Sequence, residues 1–138
     1  MTLPTLLNTL RTLLADPHGL RFSDDLLADA ARLALAELAQ CYGTPLRLTG
    51  LDGATQTTLD ALDEQTLVCG AAAHALRAQA ANRADLSGLN QANPQALLTS
   101  AEHYEAVFAR GRQAATRRKR AGAGWAVWTI ETDQEEVA

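Results

Sequence analysis

Leu67-Val68-Cys69-Gly70-Ala71-Ala72-Ala73-His74-Ala75, residues 67 to 75, is the run whose reading decides the fold. Positions 70 to 73 carry almost no side-chain bulk, so another helix can approach closely there. Alanine is also the best helix former. The run therefore predicts a helix from about Asp63 to Arg83, with Leu67, Ala71, His74, Ala75, Ala78 and Ala81 near one face.

Working outward, the N-terminal side reads as two more helices. Leu3, Leu6, Leu7, Leu10, Leu13 and Leu14 recur at spacings of three and four, with Pro4 in the first turn and Asp16-Pro17-His18-Gly19 as the stop. Ser23 is an N-cap followed by Asp24 and Asp25, which suit the positive end of the helix dipole. Leu26, Leu27, Ala30, Ala31, Ala34, Leu38 and Tyr42 form the inward face of that second helix, flanked by Leu33 and Leu35. Gly43 ends it and Pro45 forbids continuation. Between the second and third helices, Leu46-Arg47-Leu48 alternates like a strand and Asp52-Gly53 signals a turn, so a short β-excursion over 44–52 is one reading.

On the C-terminal side, Asn93-Pro94 supplies a cap and a first-turn proline. The fourth helix runs to about Arg118 with Leu97, Leu98, Ala101, Tyr104, Val107, Phe108 and Gly111 inward. Arg117-Arg118-Lys119-Arg120 and Gly122-Ala123-Gly124 then lead to Trp125-Ala126-Val127-Trp128-Thr129-Ile130, which holds both tryptophans. The reading is all-α: a four-helix bundle-like body over 1–120 and an extended interaction tail over 121–138. If extended, the tail puts Trp125 and Val127 on one side, with Ala126, Trp128 and Ile130 on the other, and both sides need burial. It either folds back on its own bundle or docks on another chain, and two apolar sides favour docking.

The chain has 138 residues, enough for one domain that buries about two-thirds of its unfolded surface. Aromatics are 4% and about one residue in five is alanine, so the core is thin and lateral burial against copies of itself would supplement it. The formal charge of −4 gives no global attraction to nucleic acid or membrane. Its distribution is uneven. Arg110, Arg112, Arg117, Arg118, Lys119 and Arg120 form an acid-free block, while Glu131, Asp133, Glu135 and Glu136 form a base-free one. The basic block reads as a solvated helix end, a protein-docking surface or a nucleic-acid contact. The N-terminus lacks a secretory-leader pattern and no run is long enough to span a membrane. Cys41 and Cys69 read as reduced, buried small hydrophobes.

No motif for nucleophilic, phosphate-binding or zinc chemistry occurs. Cys41, Cys69, His74 and His103 lack a metal-site spacing, and Cys69 and His74 lack the context of a catalytic pair. Glu102 and Glu105 read as a solvated flank in preference to paired catalytic carboxylates. The expectation is a non-enzyme without cofactor or metal.

The order of pieces resembles the small head-to-tail adaptor (connector) proteins of tailed bacteriophages. Asp16-Pro17 followed by Phe22-Ser23-Asp24-Asp25-Leu26-Leu27 is similar to the family's first half. Leu67-Val68-Cys69-Gly70-Ala71-Ala72-Ala73 and Tyr104-Glu105-Ala106-Val107-Phe108 are similar to its second half. The likeness covers most of residues 16 to 130 and rests on pattern, without a diagnostic motif; the polar stretch 44–62 departs from it. The resemblance implies a virion protein at the capsid–tail junction, made in the bacterial host cytoplasm. Identical subunits, dodecameric in the family, would form a ring between the portal protein and the next neck or tail protein, with passing contact to DNA and none to membrane. Trp125, Val127, Trp128 and Ile130 would anchor the tail, Arg117, Arg118, Lys119 and Arg120 would steer it, and Gly70, Ala71, Ala75 and Ala78 would pack subunit on subunit. The competing expectation is a small helical nucleic-acid-binding packaging or regulatory subunit using residues 110–120.

Overall fold

The structure is a computed structural model that describes residues 1–85 and 94–137, with side chains described for 1–82 and 94–122. Among the described residues four α-helices follow in order: α1 (Leu3–Leu13), α2 (Asp24–Tyr42), α3 (Glu64–Asp85) and α4 (Pro94–Val137), with a short 3-10 turn at Ala61–Asp63 before α3. No strand occurs among the described residues. The fold is the expected all-α bundle.

The ends of α2 lie where the sequence puts them. The Ser23 hydroxyl accepts from the Leu26 amide, and Gly43 closes the helix in the left-handed conformation at φ 68°, its amide donating to the Ala39 carbonyl. The buried face of α2 is Leu27, Ala30, Ala31, Ala34, Leu35 and Leu38. Leu33, a flanking position, stays exposed.

α3 is the central helix, packed against α4, α2 and α1. Every residue from Leu67 to Ala73 is buried, as are Ala75, Leu76 and Ala80. A single inward stripe therefore underestimates it: helices on several sides bury nearly its whole circumference, while Ala78 and Ala81 face out. Small residues make that crowding feasible. A Cβ on Gly70 would come within 2.7 Å of the Phe108 ring, so α4 rides directly on the glycine.

The stretch after α2 is a loop, not a β-excursion. Its one ladder element is an isolated parallel bridge between Thr2 and Thr49. The Leu3 amide donates to the Thr49 carbonyl at 2.8 Å, and the Thr57 hydroxyl donates to the Met1 carbonyl at 2.7 Å. Threonine hydroxyls also take the Arg47 and Thr49 amides, so side chains satisfy backbone groups that a strand would have satisfied. Leu48, Leu51 and Leu59 fasten the loop to the core.

The α1–α2 connection is organised by Asp16, which is 4% exposed. Its carboxylate accepts from the amides of Leu20, Arg21 and Phe22 and lies 3.5 Å from the Arg11 guanidinium. Burial pushes this carboxyl up. The three amides and Arg11 outweigh that and hold it below the ordinary aspartate value. The carboxylate's contribution to stability is therefore present above about pH 4 and disappears as pH falls through the depressed native value. Asp16→Asn should cost about 1–2 kcal/mol at neutral pH, because an amide group matches three donors poorly. The loss should shrink in acid, read as converging urea midpoints of the two proteins below pH 4. Equal loss at all pH values would show that charge at Asp16 is irrelevant.

The largest departure from expectation is at the C-terminus. α4 is helical to Val137, where the sequence reading has an extended tail from residue 121. After Pro94 the chain has no further proline. Gly122 and Gly124 each cost only about 1 kcal/mol within a helix, too little to end one that alanines otherwise sustain. Positions 125 and 128 then fall on the same side of the backbone, since residues three apart are neighbours on a helix.

Candidate functional site

The basic block lies on α4 where that helix passes the C-terminal half of α2, and the structure divides it in two. One part is internal. Arg118 donates to Asp63, a carboxylate only 1% exposed, and its second contact is the Tyr42 hydroxyl at 3.3 Å. The Tyr42 hydroxyl donates to the other oxygen of Asp63. Burial first, and Asp63 second, push the Tyr42 phenol up; hydrogen bonding to Tyr42 is the leading cause that raises Arg118 further. Lys119 donates its ammonium to the Tyr42 carbonyl, at the negative end of α2, where a cation offsets the unpaired carbonyls. These two residues bolt α4 to α2 and to the start of α3.

Arg112 is also engaged. It meets Glu37 at 3.3 Å, and its guanidinium lies 5.6 Å from the centre of the Phe108 ring. The same Glu37 contacts His74 Nε2 at 2.5 Å, so α2, α3 and α4 share one polar junction. Arg112 Nε is buried without a hydrogen-bond partner among the described residues. Further along, Arg77 clamps Glu105 with two nitrogens, which holds the Glu105 carboxyl below its usual range.

The other part is exposed. Arg110, Arg117 and Arg120 are exposed and make no ion pair among the described residues. Arg117 and Arg120 join Arg112, Gln113, Thr116, Ala109 and Cys41 around an open cleft of about 430 Å³ between α2 and α4. Its chemistry is that of a receptor for anionic groups, since guanidinium forks match carboxylates and phosphates. A second hollow, of about 480 Å³, lies on the α2 C-terminal half against Pro45, Leu46 and Leu51, with Arg32 and Asp52 at its edge.

Two sets of expected contact residues change role. Arg118 and Lys119 are tied up in internal contacts, so only Arg117 and Arg120 of that run remain available. Gly70, Ala71 and Ala75 are buried within the chain by α4 and its neighbours, so they are not a subunit surface; Ala78 alone of the four is exposed. Close approach at Gly70 is correct, but the helix that approaches is the chain's own. The side chains of Trp125, Val127, Trp128 and Ile130 lie outside the described residues.

Sequence reasoning misses the Tyr42–Asp63–Arg118 cluster and the Glu37–His74–Arg112 junction. Their members are 21 to 76 residues apart, and each has a local explanation as a helix-end residue or a surface charge. The one available signal is Tyr42, an inward position with a hydroxyl that needs a partner.

The residues considered for chemistry are scattered. Cys69 is buried and its thiol is pushed up by that burial; Cys41 is half-buried; His103 packs edge-on against Tyr104 at 5.5 Å. Among the described residues no three of His, Cys, Asp and Glu gather as a metal cluster, and no helix is long and apolar enough to cross a membrane. Glu105 is committed to Arg77 and does not pair with Glu102. No family model, curated protein or solved structure matches this chain.

Proposed function

We propose that this chain is a non-enzymatic structural adaptor of a phage particle, a ring-forming subunit that joins the capsid portal to the tail or neck and docks by its C-terminal segment. The observation that supports the reading is the length of α4. It has 44 residues against 22 in α3, so at 1.5 Å per residue it extends about 66 Å, twice the length of α3. The last described hydrogen bond from α4 to the body is at Lys119, and a Cβ on Gly122 would meet no described atom within 4 Å outside its own stretch of helix. Both tryptophans follow in sequence. A projecting helix with aromatic residues is suited to lie in a groove of a partner, a different mode from strand addition.

The test is truncation after Ala121, with electron microscopy of the chain mixed with its portal. The adaptor reading expects ordered density on the portal from the full chain and none from the truncated one. Stability of the body should change by less than about 0.5 kcal/mol, since the removed residues lie beyond the bolts at Arg118 and Lys119. Helical signal should fall only by the share of residues removed. Absent density with the full chain rejects the reading. Retardation of DNA at low salt, abolished by Arg117→Ser with Arg120→Ser, would favour the nucleic-acid-binding alternative instead.

A further inference from the structure

We infer that the arginine-lined cleft between α2 and α4 receives the acidic C-terminal end of α4, residues 131–136, from a second copy of this chain. The inference deepens the ring-forming reading above and rests on it. Three observations carry it. The first is the stripe of uncompensated cations. Arg110, Arg117 and Arg120 stand at helical spacing on one side of α4, Gln113 falls between them, and none has a carboxylate partner among the described residues. Arg112 at the cleft wall is already neutralised by Glu37, so the surplus belongs to the exposed three.

The second is the unfavourable placing of the acids. Glu131, Asp133, Glu135 and Glu136 occupy the last turns of α4, and the last turn has no basic residue. Glu135 and Glu136 stand in that last turn, the negative end of the helix dipole, where anionic groups are destabilising and a cationic neighbour is favourable. Positions 131 and 135 share one side of the helix, matching the stripe form of the arginines.

The third is reach. Arg120 and Glu131 are separated by 11 positions of one continuous helix, or roughly 16 Å along its axis, and Arg110 lies further still. The helix cannot bring its own acidic end to its own cleft, so the complement comes from another molecule. Because each copy carries one cleft and one acidic end, the contact is head-to-tail. Repetition gives a closed ring or an open filament, according to the rotation between copies.

A charge-swap experiment on the full chain tests this. Arg117→Glu with Arg120→Glu makes a cleft-reversed protein, and Glu131→Arg with Glu135→Arg makes an end-reversed one. Association is read by sedimentation velocity at low salt and at about 0.5 M salt, where exposed charges are largely screened. The unaltered chain should associate at low salt and weaken at high salt. Each variant alone should associate about 100-fold more weakly, since like charges then face each other. An equimolar mixture should recover association, because each reversed cleft finds a reversed end and each natural cleft a natural end. Circular dichroism confirms that both variants are folded. A monomeric natural chain at low salt, unaffected single variants, or a mixture that stays dissociated overturns the inference. Portal docking is scored separately on the unaltered chain. Docking without any effect of the reversals removes the cleft contact and leaves the adaptor reading, whereas absent docking strikes the adaptor reading itself.

Discussion

Arg118→Ala should lower the stability of the body by about 3 kcal/mol, roughly 10 °C in melting temperature for a chain of this size. Arg117→Ala, one position away, should change it by less than about 0.5 kcal/mol. The contrast follows from what each guanidinium touches. Arg118 is 40% exposed, but its partner Asp63 is 1% exposed, and the cost of losing an ion pair falls on the buried member. Without Arg118 the Asp63 carboxylate keeps only the Tyr42 hydroxyl as a described side-chain donor. Water can enter from the outer side of the vacated site, which places the expected loss at the lower end of the range for broken buried pairs. Replacing both members, Asp63→Leu with Arg118→Leu, should cost less than Arg118→Ala alone, because no charge is then stranded. Urea denaturation of the four proteins reads this directly. Matching midpoints for the two alanine variants would mean that the cluster does not hold α4 in place.

That contrast also marks how far the sequence is informative. The second helix is legible to the residue, because Ser23, Gly43 and Pro45 are local signals whose physics involves only their immediate neighbours. The small-residue run at 70–73 announces a close helix crossing, and the crossing exists. Its partner is not legible, because nothing in an alanine says whether the approaching helix belongs to the same chain. The same limit applies to Arg117 to Arg120. Four adjacent cations look alike in sequence, and only the helical rotation that turns Arg118 toward Asp63 separates a structural bolt from a free charge. The end of α4 is misread for another reason. Two glycines and two tryptophans look like a break followed by a strand, yet each glycine's cost is smaller than the gain from continuing a helix already nucleated over residues 94–120.

Gly111→Val should be nearly as damaging, at about 3 kcal/mol, and for a purely steric reason. A Cβ at position 111 would stand 2.5 Å from Thr66 Cγ2 and 2.8 Å from Thr66 Cβ. The Cβ contact cannot be relieved by rotating the threonine, since that atom is fixed by the α3 backbone. The helices must move apart, and the crossing at Gly70 and Phe108 one turn away must loosen with them. Gly111→Ala places a single methyl in the same clash and regains up to about 1 kcal/mol of helix propensity, so a smaller net loss of about 2 kcal/mol is expected. Thr66→Ala in the Gly111→Ala background should recover roughly half of it by removing Oγ1 and Cγ2 while leaving Cβ. Gly122→Ala is the matching control. Outside its own stretch of helix no described heavy atom lies within 4 Å of its Cβ position, so substitution there should raise helical signal without moving the denaturation midpoint of the body. If Gly111→Val and Gly122→Ala were equally harmless, α3 and α4 would not cross at Thr66, and the direction in which α4 carries its C-terminal end would have to be set elsewhere.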